Sequence, residues 1–373
     1  MTAQDIKSLS REELLAWLNE AGQPAYRADQ VLRWLYRAAA SSWDSMTNLP
    51  RDLRASLAGR FTLNTLQLVK GQGARDTTRK FLWRLPDGAL IESVLIPANL
   101  DDQGEPGARH TLCISTQVGC AYGCKFCASG LDGWKRDLKP EEIVEQVLAT
   151  ERWQAAQPDP TPPAPGDSNR FVNNVVVMGM GEPLANYANL MKALHLLNAP
   201  WGAGIGARRI TISTSGLAPR IRQLADEPPQ YRLAVSLHGA TDEVRARLMP
   251  VNRKYPLAEL GAACEYYVQR KGKMITLEYI LIAGVNDSLD QVAPLAALSR
   301  RLHAKVNLIP YNQVEGLRWE RPTDAVCDAF LQGLEKRQVT ATLRHEKGHD
   351  IDAACGQLRL REERAAASSG SAC

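Results

Sequence analysis

No stretch of this chain stays apolar for long. Runs such as Asn174-Val175-Val176-Val177-Met178 have the length of a strand, well short of the ~18 apolar residues that a membrane span needs. Residues 1–10 lack the basic start and apolar core of a secretory signal, so the expected compartment is the cytoplasm. Neither sign of charge dominates: the formal net charge is +4, too small by itself to name a partner. Apolar residues are not depleted either. A hydrophobic content of 45% with 23% charged residues is ordinary for a globular protein and excludes a disordered chain. At 373 residues the chain is long for one compact domain and short for three. The expectation is one large catalytic domain with a small appendage.

The charge is unevenly spread. Residues 1–84 hold 13 Lys and Arg against 8 Asp and Glu, so the positive excess sits in the N-terminal quarter. A segment that touches a polyanion has this bias, and so does a solvated basic surface. The same region reads as helices. Ser10-Arg11-Glu12-Glu13 has the form of a capping box, followed by Leu14, Leu15, Trp17 and Leu18 at helical spacing and by Gly22 as a stop. A second helix is expected from about Arg27 and a third near Pro50, a favoured first-turn residue. Residues 1–60 are therefore expected to form a small helical accessory domain, basic enough to face a polyanion. Trp34, Tyr36 and Trp43 lie among its arginines, where aromatics serve as core or as base-stacking surface.

Residues 61–109 read as a β-hairpin extension. Two strand-like runs, 80–85 and 89–96, flank the turn Pro86-Asp87-Gly88, and 99–109 reads as a polar loop. Glu92 is a lone carboxylate in the second run, between apolar neighbours on both faces. That is costly without a partner, so Glu92 is either a proton-transfer candidate or a salt bridge to Arg84 across the hairpin. A strand at 110–116 follows. Beyond residue 137, candidate strands at 172–179, 209–214, 231–237, 274–282, 304–309 and 339–344 alternate with helices at 140–154, 186–198, 242–248, 256–270, 288–302 and 322–336. This alternation argues for a parallel β/α core over 110–345. The Pro-rich segment 157–169 reads as an inserted surface loop, 346–373 as a C-terminal loop, and the tail from Ala365 to Cys373 as frayed.

Of eight cysteines, Cys113, Cys120, Cys124 and Cys127 fall within 15 positions. In a reducing compartment such crowding favours metal binding or thiol chemistry over structural disulfides. Cys120, Cys124 and Cys127 form a C-x3-C-x2-C loop after a strand, a spacing that lets three thiolates meet one inorganic centre. Iron–sulfur clusters normally take four cysteines, so three would leave one iron of a [4Fe–4S] cluster free to bind substrate. Zinc, with Cys113 as fourth ligand, is the competing occupant, although the gap from Cys113 to Cys120 is not a usual zinc spacing. Cys264 and Cys327 read as core residues. His345-Glu346-Lys347-Gly348-His349 matches the zinc-protease pattern by chance, because it follows a strand and contains a glycine.

The cysteine loop resembles that of the radical S-adenosylmethionine (SAM) superfamily. The resemblance extends to Gly179-Met180-Gly181-Glu182-Pro183, Ser213-Thr214-Ser215-Gly216, Ser236-Leu237-His238, Ile309-Pro310-Tyr311-Asn312 and Asp350-Ile351-Asp352-Ala353-Ala354-Cys355-Gly356-Gln357-Leu358, each after a successive strand or closing the chain. Over roughly residues 5–360 the chain looks like the dual-specificity RNA methyltransferases of that superfamily. The resemblance implies a partial (β/α)6 barrel, in class α/β, with a small N-terminal helical domain. It implies methylation at C2 of an adenosine in 23S rRNA and of an adenosine next to the anticodon in some tRNAs.

The same resemblance assigns roles. Cys120, Cys124 and Cys127 would hold the [4Fe–4S] cluster. Gly181, Glu182, Ser213, Ser236, Leu237, His238 and Asn312 would hold SAM, two molecules of which serve each turnover. Adenine C2 is electrophilic and cannot attack a SAM methyl group directly, so Cys355 would carry the one-carbon unit as a methylthioether and bond covalently to the RNA. Glu92 would remove the C2 proton, and Cys113 would release the product, leaving a disulfide with Cys355. A reductant such as flavodoxin would feed electrons to a monomeric enzyme with no membrane partner. Read from its residues alone, Cys113 is equally a buried strand cysteine. Two alternatives stay open: the related C8-directed methyltransferase of the antibiotic-resistance type, and a non-catalytic, zinc-stabilised RNA-binding protein.

Overall fold

The computed structural model describes residues 4–74, 78–97, 109–131, 133–158, 160, 170–344 and 357–370, with side chains up to residue 364. Cys355 and Cys373, the segment 345–349 and most of 157–169 lie outside the described residues.

The N-terminal helices are α1 (Arg11–Glu20), α2 (Tyr26–Leu32), which continues as a wider turn over Arg33–Arg37, and α3 (Arg51–Arg60). The capping box is present: Glu13 N donates to Ser10 Oγ at 3.1 Å and Ser10 N to a Glu13 carboxylate oxygen at 2.6 Å. Past the end of α1, Gly22 takes φ +68°, a conformation that costs glycine nothing. Strands β1 (Gln4–Asp5) and β2 (Phe61–Thr62) pair in parallel and close the module. Tyr36 is fully buried and its hydroxyl donates to Lys7 O at 3.0 Å, while Trp34 Nε1 donates to Asn48 Oδ1 at 2.5 Å. These two aromatics are core and scaffold. The exposed residues of the module include Arg33, Arg37, Arg51 and Arg60.

Next come β3 (Gln67–Gly73), β4 (Arg79–Arg84), β5 (Leu90–Ile96), β6 (Thr111–Cys113), β7 (Gln117–Gly119) and β8 (Trp134–Asp137). The alternating part follows as α4 (Pro140–Ala155), β9 (Asn174–Val177), α5 (Tyr187–Asn198), β10 (Ile210–Thr214), α6 (Ala218–Asp226), β11 (Arg232–Ser236), α7 (Asp242–Leu248), α8 (Leu257–Lys271), β12 (Ile275–Leu281), α9 (Val292–Arg301), β13 (Ala304–Pro310), α10 (Asp324–Glu335), β14 (Ala341–Leu343) and α11 (Gln357–Gly370). Ten strands make one sheet in the order β14-β13-β12-β11-β10-β9-β6-β5-β4-β3. From β14 to β6 all neighbours are parallel, and β5, β4 and β3 add on antiparallel. Strands β6 and β9 to β13 are the six of the expected partial barrel, and β14 extends it by one short strand.

Strand alternation decides what each face offers. Along β10, Ile210, Ile212 and Thr214 are buried, whereas Thr211 and Ser213 are half-buried on the opposite face. The same rule places Asn307 of β13 beside Glu278 of β12, with Asn307 Nδ2 donating to the Glu278 carboxylate at 2.7 Å. The strand ends, where parallel β/α folds build their sites, lead into the polar motifs.

One expectation fails at the C-terminus. The tail is not frayed from Ala365: α11 runs from Gln357 to Gly370, and its first turn buries Leu358, Arg359 and Leu360. Arg359 pairs with Glu363 at 2.6 Å, one helical turn on, and Leu, Arg, Glu and Ala fill the positions up to 367. These are strong helix formers, and they outweigh the position at the end of the chain. Among the described residues no helix is long and apolar enough to cross a membrane.

Candidate active site

The cysteine loop runs from β7 to a short 3-10 turn at Ala128–Gly130. It is pinned at several points: Cys120 N donates to Gly133 O at 3.1 Å, Lys125 N to Leu248 O at 3.0 Å and Cys127 N to Cys124 O at 3.1 Å. Gly119 at its entrance has φ +80°, and a Cβ there would lie 1.9 Å from Gly133 O, so no other residue fits. The three thiols feel one another. Burial pushes the Cys120 thiol up to about 12, with Cys127 and Glu182 adding to the shift. Burial likewise pushes the Cys124 thiol up, with Cys127 and Cys120 adding to it. Thiolates held there need a positive centre between them, and an iron–sulfur cluster is one. Among the described residues no group of three His, Cys, Asp or Glu is arranged to hold one metal ion. Cys113, the proposed fourth zinc ligand, is buried in β6, paired with Val94 and Val176.

Glu182 is the second part of the site. It is buried, yet its carboxylate meets no cation among the described residues; it accepts from Leu184 N at 3.0 Å and Ser215 N at 2.6 Å. Burial raises its pKa, and those amides partly offset the shift. An ammonium group is the natural complement of a carboxylate held this way. Gly181 beside it has φ +102°, and a Cβ there would meet Gln117 Cβ at 2.7 Å. Glu182 N in turn donates to Gln117 Oε1 at 2.9 Å, which locks the motif onto β7.

Ser213 and Ser236 are half-buried on β10 and at the end of β11, and Asn312 is half-buried just after β13. Leu237 and His238 are buried. His238 is a non-glycine residue at φ +55°, a strained conformation that surrounding contacts must impose. Its Nδ1 accepts from Ile280 N at 3.0 Å, and its ring lies edge-on to Phe126 of the cysteine loop, centroids 4.8 Å apart. Burial, helped by the Arg245 charge, pushes its pKa down to about 3. The ring is therefore neutral, with its proton on Nε2 as a donor.

Glu92 is buried on β5. Its partner is Lys80 of β4, fully buried, with Lys80 Nζ 3.0 Å from the carboxylate; the bridge to Arg84 does not form, and Arg84 is exposed. Lys80 and Arg84 both lie diagonally across from Glu92, which faces Leu82, so the hairpin pattern alone does not choose between them. The other Glu92 oxygen accepts from Arg359 N in α11 at 2.7 Å. Lys80→Met leaves a buried carboxylate without its cation and is expected to cost about 3–5 kcal/mol of stability. Lys80→Met/Glu92→Gln should regain most of that loss. Chemical unfolding of the three variants measures it; a double variant as unstable as the single one would show that the charge pair is not the cause.

Sequence reasoning missed Arg245. It lies on α7 with no exposed surface and donates to Leu237 O at 3.1 Å, Asn252 Oδ1 at 2.7 Å and Ser215 O at 2.5 Å. The signal available was an arginine at an apolar position seven residues after Ser236-Leu237-His238. Cys264 and Cys327 are buried as expected.

Residues 4–63 match the family described as "Ribosomal RNA large subunit methyltransferase N-terminal domain", and residues 168–294 match "Radical SAM superfamily". A relative from Opitutus terrae, "Probable dual-specificity RNA methyltransferase RlmN 3", is 56% identical over 95% of this chain and 93% of its own length. A second, from Akkermansia muciniphila and named "Probable dual-specificity RNA methyltransferase RlmN", is 51% identical over 96% of both. The crystal structure of a radical SAM methyltransferase from Sphaerobacter thermophilus superimposes with a TM-score of 0.85 at 44% identity, covering 95% of this chain and 98% of that one. Similarity of this extent, across both the helical module and the barrel, means that the chain belongs to the RlmN family of dual-specificity RNA methyltransferases, within the radical SAM superfamily.

Proposed function

We propose that this enzyme methylates C2 of an adenosine in 23S rRNA and of an adenosine next to the anticodon in some tRNAs. The observation that carries the reading is the packing of a three-thiol loop against Glu182, a buried carboxylate held by amides and left without a cation among the described residues. Cys120, Cys124 and Cys127 hold a [4Fe–4S] cluster in this reading. When bound, the cluster supplies the electron for reductive SAM cleavage, which makes hydrogen abstraction from an unactivated C–H bond possible.

The chain's residues do the rest. Glu182 accepts the SAM ammonium group, and Gly181 leaves room for it. Ser213, Ser236 and Asn312 bond the carboxylate, ribose and adenine, His238 offers its Nε2 proton, and Leu237 packs alongside. Cys355 takes a methyl group from one SAM and presents it as a thioether, so two SAM molecules are used per methylated adenosine. After the carbon has bonded to C2, Glu92 removes the C2 proton. The adduct's unpaired electron would pass back to the site that supplied one at the start. The Cys113 thiolate then attacks the Cys355 sulfur, and the bond from that sulfur to the added carbon breaks. The carbon takes up a proton to become the C2 methyl group, and the disulfide left behind is reopened by a reductant. A low-potential donor such as flavodoxin, a monomeric state and a cytoplasmic location complete the proposal. The exposed arginines of the N-terminal module support RNA docking there.

Expression of the chain in a host lacking the modification, followed by mass-spectrometric analysis of nucleosides from 23S rRNA and tRNA, tests this reading. 2-Methyladenosine in both RNAs is expected, and none with Cys355→Ala. 8-Methyladenosine would establish the C8-directed alternative. A colourless protein with bound zinc would establish the non-catalytic one.

A further inference from the structure

Arg245 is a fully buried guanidinium with no carboxylate in ion-pairing distance among the described residues. The nearest acid on its helix, Asp242, is engaged elsewhere: its carboxylate accepts from Asn252 Nδ2 at 2.9 Å and Leu257 N at 2.8 Å. Arg245 reaches instead for two main-chain carbonyls and an amide oxygen. An unpaired buried cation is expensive, so its retention calls for a compensating role.

Its place in the fold supplies one. The two carbonyls belong to Ser215 and Leu237, the ends of two neighbouring SAM motifs. Ser215 is gripped from both sides, since its N–H donates to Glu182 and its carbonyl accepts from Arg245. The glycines after these motifs make the room. A Cβ at Gly216 would lie 2.9 Å from an Arg245 guanidinium nitrogen, and one at Gly239 would lie 2.5 Å from Arg245 N. On its other side α7 meets the cysteine loop: Lys125 N, next to Cys124, donates to Leu248 O at 3.0 Å. A guanidinium stays protonated at neutral pH even when buried.

We propose that Arg245 is a positioning residue with two effects: it holds the Ser215 and Leu237 turns, and through Ser215 the Glu182 carboxylate, in binding geometry, and it places a fixed positive charge beside the Cys124 corner of the cluster. The inference rests on the cluster and SAM reading given above. Neither effect requires Arg245 to touch SAM.

Arg245→Gln and Arg245→Lys, prepared anaerobically with reconstituted cluster, separate the effects. Iron content, SAM affinity by equilibrium binding and cluster midpoint potential are measured beside the wild type. Arg245→Gln, at normal iron content, should bind SAM at least tenfold more weakly. It should also show a tenfold lower ratio of reduced to oxidised cluster at a fixed potential, about 59 mV for a one-electron couple. Arg245→Lys keeps the charge but not the fork that spans two carbonyls. It should restore the potential and not the SAM affinity, a split that simple loosening of the fold does not produce. Wild-type affinity and potential in Arg245→Gln overturn the proposal. Should that variant not fold, wild-type SAM affinity in Arg245→Lys overturns it equally. Wild-type protein that takes up no cluster sinks the functional reading itself, and this inference with it.

Discussion

Cys113→Ala is expected to accumulate RNA covalently attached through Cys355, as a denaturation-resistant, nuclease-sensitive band, and Cys355→Ala to give no adduct at all. In the proposed reaction the two thiols act at different steps. Without Cys355 there is no sulfur to carry the methyl group, so nothing reaches the adenine. Without Cys113 the carbon is delivered and then cannot be released. Product formation should fall to background in both variants, and only the adduct distinguishes them. Cys113 ends β6, inside the sheet and 6% exposed, seven residues before Cys120. Disulfide formation needs Cα atoms within ~7 Å, which is the separation the proposed release step requires of Cys113 and Cys355. Equal phenotypes, with no adduct in either variant, would falsify the division of labour while leaving the methyltransferase assignment standing.

Removal of any one of Cys120, Cys124 or Cys127 by Ala is expected to abolish cluster retention and 5′-deoxyadenosine production. Each thiol is part of one loop whose ends are tied to the rest of the barrel, and among the described residues no spare cysteine lies in that loop. Cys113 is committed to β6, and Cys264 and Cys327 are buried. The fold should survive, because the loop lies outside the ten-stranded sheet. Iron analysis, visible absorbance near 400 nm and far-UV circular dichroism together test this. A single variant with full iron and full SAM cleavage would remove that thiol from the ligand set.

The β/α part of the fold was legible because its strands are apolar runs of the right length and its helices carry clear apolar stripes. The observed strand Ile275–Leu281 and helix Asp242–Leu248 differ from the expected bounds by one residue or none. Helix α6 was missed because it is nine residues long, with Pro219 in its first turn and only Ile221 and Leu224 as large buried anchors. Strand β3 was missed because five of its seven residues are polar or glycine: it forms the edge of the sheet and buries little. The proposed motif residues stand out in the sequence as a set because each lies at or just beyond a strand end. Their supports were not. Arg245 satisfies carbonyls brought together only by folding, and Lys80 is chosen over Arg84 by a register that is symmetric in the sequence. Buried charges that serve other residues leave little local signature.

The bond between Glu92 and the Arg359 amide spans 267 positions of sequence. The proposed proton-abstracting carboxylate thus takes part of its environment from a helix synthesised long after it. At ribosomal rates of about 5–20 residues per second, Glu92 emerges roughly 13–53 s before its partner. Until then β4 and β5 can pair and bury Lys80 beside Glu92, but the α11 side of the carboxylate stays open. A nascent chain that has not yet passed residue 359 therefore lacks the contact that orients Glu92. Translation past that point becomes, in effect, a checkpoint on this carboxylate.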